Sequence, residues 1–271
     1  MRAFAILNKV SYGKLKLEYT LGVIMTVIFA HRGSKSNRPE NTLASFYEAL
    51  RVGADGIELD VHRSLDNHLV VIHDETVDRT TNGIGLVRNL TLAQLKELDA
   101  GSWFAPEYFR ERISTLKEVL HFLVEQDFRG TLNIEIKTDK YHYPGIEHDV
   151  AQVMHSQKWP FDYLYCSFNF KSLEIMAQED PGIELAFLMK KNPFHIWLGR
   201  KTPFVGAIHP NKLWFLNDLT VAKSFSKSVR PWTLNKEKQM NLAYKYELAG
   251  FMTDFPELAV ALRQTWQNKN Q

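Results

Sequence analysis

Two acidic strand-like motifs and two histidine motifs carry the reactive side chains of this sequence. Glu58-Leu59-Asp60 and Glu135-Ile136-Lys137 each set two charged residues two positions apart, and on a strand that spacing points both to the same side. His31-Arg32-Gly33 and His73-Asp74 each end a further apolar run. Three carboxylates, Glu58, Asp60 and Glu135, brought to one place repel strongly at neutral pH unless a cation sits between them. Oxygen ligands in that number suit one divalent cation, Mg2+ or Ca2+ with Mn2+ also admissible, rather than zinc. The alternative is that Arg32 and Lys137 neutralise the carboxylates directly. Beside a divalent ion, Arg32 and Lys137 make a pocket whose natural ligand is a delocalised anion such as phosphate. His31 and His73 then supply an acid and a base, since an imidazole titrates at about pH 6.5. The combination describes phosphodiester cleavage: a metal polarises the phosphoryl oxygens, one histidine activates a nucleophile and the other protonates the leaving oxygen. No Gly-rich phosphate loop is present, so nucleoside-triphosphate chemistry is unsupported.

These residues can act together only if a fold gathers the ends of their strands. From Met25 onward, strand-like runs at 26–30, 55–61, 131–136, 163–168, 184–189, 205–209, 229–234 and 250–253 alternate with helical stretches. The helix at 42–52 puts Leu43, Phe46, Tyr47 and Leu50 on one face, with Asn41 as its expected cap. The helix at 114–125 carries Leu116, Val119, Leu120 and Leu123 and opens on Ser-x-x-Lys, without an acidic capping partner. Further helices fit 148–155, 171–178, 217–226, 236–248 and 256–267, and the segment 191–201 is interrupted by Pro193. Strands that alternate with helices point to a (β/α)8 TIM barrel, because parallel strands need right-handed crossovers. Its active site lies at the C-terminal ends of the strands. A ninth run, 69–73, follows the second strand with no helix between. It is expected as an antiparallel ribbon turning at Asp66-Asn67, a register that sets Leu65 opposite His68 and Asp60 opposite His73. Residues 74–112 exceed a plain loop and contain a helix at 92–98, which suggests a small inserted subdomain over the mouth. Residues 25–271 then make one domain, and 1–24 an extension.

The chain has 271 residues, 45% of them hydrophobic, and 33 basic against 31 acidic side chains give a net charge of +2. That balance argues against nucleic acid or a membrane surface as the main partner. A single cysteine, Cys166, excludes an intrachain disulfide, a multi-cysteine zinc site and a CxxC pair. A reducing, cytoplasmic setting is expected. The apolar run 21–30 is too short to span a bilayer, which takes about 20 residues. Arg2, Lys9, Lys14 and Lys16 precede it, so the alternative is a secretory signal or membrane anchor. Cleavage after Ala30 would leave His31 as the N-terminus, which favours a buried first strand. Among lesser candidates, Trp232 and Phe168 at strand ends suit an apolar wall for the uncharged portion of a substrate. His209 suits a helix-start or packing role, Cys166 an inert core thiol, and Glu40 a partner that orients Arg32. His142, His148 and His155 are expected in solvent, and the basic, aromatic stretch 190–201, with Phe194 and Trp197, as an amphipathic barrel helix rather than a lipid contact.

Taken in order, several motifs resemble those of the glycerophosphodiester phosphodiesterase family. They are His31-Arg32-Gly33, Pro39-Glu40-Asn41-Thr42, Gly56-Ile57-Glu58-Leu59-Asp60-Val61, His73-Asp74, Arg79-Thr80-Thr81-Asn82-Gly83, Asp99-Ala100-Gly101-Ser102, Asn133-Ile134-Glu135-Ile136-Lys137, Pro231-Trp232-Thr233-Leu234-Asn235 and Thr253-Asp254-Phe255-Pro256. Each is weak alone; the ordered set, from His31 to about Pro256, is specific. The resemblance implies that Glu58, Asp60 and Glu135 bind the ion, that His31 and His73 are the acid–base pair, and that Arg32 and Lys137 hold phosphate. It also implies small-molecule substrates, glycerophosphodiesters such as glycerophosphocholine or glycerophosphoethanolamine. These would be cleaved to glycerol 3-phosphate and an alcohol through a cyclic phosphate formed by the substrate's own hydroxyl. The sequence sets neither the headgroup nor an oligomeric state, and no stable membrane insertion is expected. One local departure is Ser114, where many relatives carry proline at the start of a helix, a change that bears on stability. Two other functions are compatible: a phospholipase-D-like or phosphoinositide-type enzyme acting on lysophospholipids or intact lipids, and a catalytically silent phosphate-ligand binder. The first needs an apolar membrane-binding rim, against which the near-neutral charge and the lack of a clear apolar loop argue, and the second is marked by loss of a histidine or carboxylate, none of which is lost.

Overall fold

The structure is a computed structural model that describes residues 25–190 and 192–270. Its strands are β1 (Val27–His31), β2 (Gly56–Arg63), β3 (Leu69–Val71), β4 (Thr131–Ile136), β5 (Asp162–Ser167), β6 (Leu185–Met189), β7 (Ala207–Pro210), β8 (Ser228–Val229) and β9 (Gly250–Thr253). All but β3 pair in parallel, in the order β8-β7-β6-β5-β4-β2-β1-β9. Met252 N–H donates to Pro231 O (3.0 Å) and Leu234 N–H to Met252 O (2.9 Å), which brings the two edges together into a barrel. The pairing expected through 229–234 thus continues beyond the short regular strand β8. The helices are α1 (Leu43–Arg51), α2 (Leu92–Glu97), α3 (Leu116–Glu125), α4 (Ile146–His155), α5 (Phe170–Glu179), α6 (Pro193–Lys201), α7 (Lys212–Asn217), α8 (Leu219–Lys223), α9 (Glu237–Lys245) and α10 (Pro256–Asn270). This is the (β/α)8 barrel expected from the alternation. None of the helices among the described residues is long and apolar enough to cross a membrane. The expectations for residues 1–24 lie outside the described residues.

The strand and helix faces bury one large apolar core between them, while Phe29, Leu164, Cys166, Ala186, Leu188, Ala207 and Met252 fill the barrel interior beneath the mouth. Gly56 is needed there, since a Cβ would lie 2.6 Å from the Phe29 ring and 2.7 Å from Thr131 O. A third cluster, including Val70, Ile72, Val77, Val87, Leu95 and Ile113, packs segment 74–112 against β3. The helix in that segment is α2, close to the expected span.

Four local expectations are corrected. Thr42, not Asn41, caps α1, its hydroxyl accepting Ser45 N–H at 3.3 Å. Asn41 sits at φ 57° with its amide drawn elsewhere. Thr115 rather than Ser114 caps α3, and Glu118 closes a full capping box by accepting Thr115 N–H at 2.7 Å. The helix expected at 217–226 begins earlier, at α7, capped by Asn211, and breaks at Asp218, whose ψ of 89° is not helical. The β2–β3 ribbon is shifted by one residue: Val61 faces Val71, and Ile72 rather than His73 donates to Asp60 O (3.1 Å). The cause lies in the turn. The Ser64 hydroxyl accepts His68 N–H at 2.9 Å and donates to Asp66 at 2.7 Å, and Asn67 takes the left-handed conformation at φ 65°. That geometry favours a three-residue loop over the two-residue turn.

Candidate active site

Strand register gathers the acidic residues. His31 of β1 lies beside Glu58 of β2, and Asp60 beside Glu135 of β4. Ligand oxygens of Glu58, Asp60 and Glu135 all lie within 4.8 Å of one another, and all three residues are buried. The turn after β1 makes this possible. Arg32 and Gly33 adopt φ of 58° and 79°, and the turn aims Arg32 N–H at Glu58 Oε2 (3.0 Å). A Cβ at position 33 would fall 2.4 Å from Ser45 Oγ, so only glycine fits this turn.

The two cations lie against the carboxylates. Lys137 Nζ donates to Glu135 Oε1 at 2.9 Å and stands 3.8 Å from Asp60 Oδ1. Arg32 Nε is 3.3 Å from Asp60 Oδ2, and its Nη1 donates to Glu40 at 2.7 Å, the orienting role expected of Glu40. Direct neutralisation is therefore partial: two cations face three carboxylates, and among the described residues none forms an ion pair with Glu58. Burial, Asp60 and Glu135 together push the Glu58 carboxyl well above its ordinary range. Burial also raises Glu135, with Lys137 opposing it. Asp60 stays well below the usual range despite its burial, because Arg32, His73 and Lys137 surround it and Asn41 bonds it. Asp60 Oδ1 is buried with no hydrogen-bond partner. An oxygen-only donor set with a surplus negative charge and an orphaned oxygen fits a hard divalent cation.

Each histidine is anchored by a carboxylate. His31 Nδ1 bonds Asp254 Oδ1 at 2.6 Å, and His73 Nδ1 bonds Asp74 Oδ1 at 2.6 Å. A carboxylate only accepts, so Nδ1 carries the proton in both rings and Nε2 is the other nitrogen. Burial, with Arg32 alongside, holds the His31 imidazole down at about 4. Sequence reasoning did not assign the residues behind the pair. Asn235 Nδ2 donates to Asp254 Oδ2 at 2.7 Å. Arg79 bridges Asp74 (2.6 Å) and Glu40 (2.8 and 2.9 Å), joining His73 to the Arg32 side of the site. Asn41, expected as a cap, donates instead to Asp60 Oδ2 at 2.9 Å. His62 Nε2 donates to His73 O at 3.0 Å, fixing the chain that carries the His73 ring. The motifs containing Asp254 and Arg79 were visible; their partners lie far away in sequence.

Phe168 and Trp232 meet edge to face, with centroids 5.5 Å apart, above the interior apolar cluster. The Trp232 indole donates to His209 O at 2.8 Å. His209 itself is buried in the barrel with neither ring nitrogen hydrogen-bonded, and burial and Arg230 push its pKa well below the ordinary value. Cys166 is buried, its thiol pushed well up by that burial. His148 and His155 are about half exposed, paired singly with Glu179 and Asp180, and His142 is exposed.

A barrel mouth joining clustered carboxylates, two cations and two carboxylate-anchored imidazoles is built for phosphoryl chemistry, and the class is that of barrel phosphohydrolases. Residues 31–258 match the model of the glycerophosphoryl diester phosphodiesterase family. A glycerophosphodiester phosphodiesterase of Caldanaerobacter subterraneus subsp. tengcongensis is 39% identical over 241 residues, covering 88% of this chain and 97% of that one. One from Bacillus altitudinis is 40% identical over 247 residues, covering 89% and 99%. Among solved structures, an Oleispira antarctica phosphodiesterase in complex with its product sn-glycerol-3-phosphate superposes with a TM-score of 0.79 at 30% identity, covering 89% of this chain and 97% of that one. The chain belongs to the glycerophosphoryl diester phosphodiesterase family and is an enzyme of phosphodiester hydrolysis.

Proposed function

We propose that the protein hydrolyses glycerophosphodiesters, such as glycerophosphocholine or glycerophosphoethanolamine, to glycerol 3-phosphate and an alcohol. The observation that carries this reading is the buried carboxylate triad set beside two histidines whose Nδ1 atoms are both tied to aspartates at 2.6 Å. The product-bound Oleispira relative supports a glycerol phosphate ligand. Glu58, Asp60 and Glu135 would hold one divalent cation, Mg2+ or Ca2+, which when bound neutralises the triad and polarises the phosphoryl oxygens. Arg32 and Lys137 hold the phosphate; Lys137 donates one hydrogen bond to Glu135 and has two further N–H groups for the phosphate. His31, neutral at pH 7, takes the proton from the substrate's neighbouring hydroxyl at Nε2. His73 gives a proton to the departing alcohol oxygen. In the second half the roles reverse: His73 takes a proton from water as it opens the cyclic phosphate, and His31 returns its proton to the hydroxyl. Phe168 and Trp232 form the apolar wall beside the glycerol or alcohol.

The test is release of glycerol 3-phosphate from glycerophosphocholine after EDTA treatment and add-back of Mg2+ or Ca2+, with His31→Ala and Glu58→Ala in parallel. Turnover that metal restores, and that both variants lose, is the expected result. Full turnover in EDTA, or in His31→Ala, would overturn the assignment.

A further inference from the structure

The rim of the mouth over β6 and β7 bears a surface that catalysis does not use. Asn192 caps α6 immediately beyond β6, its side chain accepting Phe194 N–H at 2.9 Å. Ile196 and Leu198 turn inward onto the core. Phe194 and Trp197 turn outward, 61% and 55% exposed, and stack on each other with centroids 5.8 Å apart. Leu213, in the first turn of α7 on the adjacent strand, is 55% exposed. The amphipathic helix expected at 190–201 is therefore present, but among the described residues its aromatic pair is uncovered. The charges that its own stretch of chain carries are of one sign. Between Glu184 and Asp218 there is no acidic residue, while Lys190, Arg200, Lys201 and Lys212 all occur. The surface is continuous with the active site. Lys190 Nζ stands 5.8 Å from the Phe168 ring, and Lys212 N–H donates to Trp232 O at 2.8 Å.

We propose that this rim docks the enzyme on an anionic lipid bilayer, with Phe194 and Trp197 at the headgroup boundary and Lys190 and Lys212 facing lipid phosphates. Trp and Phe flanked by lysines suit that boundary, because the rings bury apolar area while the cations stay at the charged surface. A second copy fits less well. A two-fold contact would set the same lysines against each other, and three exposed side chains fall well short of the roughly 1,200 Å2 of a stable protein interface. Docking turns the mouth toward the membrane, where a glycerophosphodiester bearing an acyl chain would be met. That consequence, unlike the docking itself, rests on the proposed hydrolysis.

The test is co-sedimentation of the full chain with vesicles of phosphatidylcholine containing about 30% phosphatidylglycerol. Wild type should pellet with these and not with pure phosphatidylcholine. Phe194→Ala/Trp197→Ala should lower partitioning at least about tenfold, and Lys190→Ala/Lys212→Ala should lower it and flatten its salt dependence. Both aromatics are exposed, so the aromatic double variant should keep the wild-type rate on soluble glycerophosphoethanolamine. Equal pelleting of wild type and the aromatic variant overturns the proposal. So does absence of pelleting, or a concentration-dependent dimer by sedimentation velocity that the aromatic variant abolishes. Vesicle binding without turnover of any soluble diester would overturn the proposed reaction and leave docking standing.

Discussion

Asp254→Asn isolates the device that sets the His31 tautomer. In the wild type Asp254 Oδ1 takes the His31 Nδ1 proton at 2.6 Å, and Asp254 Oδ2 takes a proton from Asn235 Nδ2 at 2.7 Å. Asn235 cannot turn over, because its Oδ1 accepts Asp254 N–H (3.0 Å) and the Thr253 hydroxyl (3.3 Å). An asparagine at 254 must therefore either set its amide NH2 against that of Asn235 or present it to His31. The second choice moves the imidazole proton to Nε2 and removes the base. Loss of the charge-assisted bond alone is worth about 1.5–3 kcal/mol, or roughly ten- to a hundredfold. A tautomer switch extends the fall in kcat toward about ten-thousandfold. KM should change little, since the proposed phosphate ligands are Arg32 and Lys137, not Asp254. Asp254 works to raise the His31 pKa, so its loss should also move any residual acid limb of kcat/KM to lower pH. The double variant Asp254→Asn/Asn235→Asp restores an acceptor behind position 254, lets the new amide donate to it, and turns its oxygen back to His31. It should recover part of the rate. Steady-state kinetics with glycerophosphocholine decide the matter: a single variant within about threefold of wild type in kcat, or a double variant no better than the single, would refute the reasoning.

Two further outcomes follow from the buried charges. Glu40, buried and bonded to Arg32 and Arg79, resists the upward push of burial because Arg79, Arg32 and Lys35 face it, and its carboxyl is held down at about 2 against an ordinary 4.5. Its folded pKa is depressed, so its stabilisation is full above the unfolded value and fades as pH falls from about 4.5 toward 2. Glu40→Gln should lose about 3 kcal/mol at pH 7 and show a shallower acid decline in urea melts between those limits; parallel slopes for the two proteins would contradict this. Saturating Mg2+ or Ca2+ should raise the melting temperature of wild type, by the equivalent of about 2.7 kcal/mol at a hundredfold excess over Kd. Glu58→Gln should abolish that shift in a thermal melt, and an unchanged shift would remove Glu58 from the ion site.

The side chains that gather at the mouth were legible because their placement needs only local information. Alternation along β2 and β4 puts Glu58 with Asp60 and Glu135 with Lys137, whatever the rest of the chain does, and parallel packing then brings the pairs together. Errors arose where two nearby residues could do one job. Asn41 and Thr42 can both cap α1, and the sequence does not show that Asp60, 19 residues away, claims the asparagine. Ser64 and Asn67 decide between two turns that differ by one residue, which moves His73 off the position opposite Asp60.

The groups that govern protonation were harder to see, and for a physical reason. Asp254 is 223 residues from His31, and they meet only because β9 pairs with β1 when the barrel closes. The same holds for Arg79 reaching Glu40 across 39 residues. A carboxylate after the last strand has no periodicity that marks it as the partner of a histidine after the first. Helical period likewise shows which side of α6 faces inward, with Ile196 and Leu198, but not whether anything covers Phe194 and Trp197 on the other side. Coverage and tautomer are both properties of the closed barrel. Side chains that share a site can thus be read from adjacent residues, while their protonation depends on contacts between residues far apart in the chain.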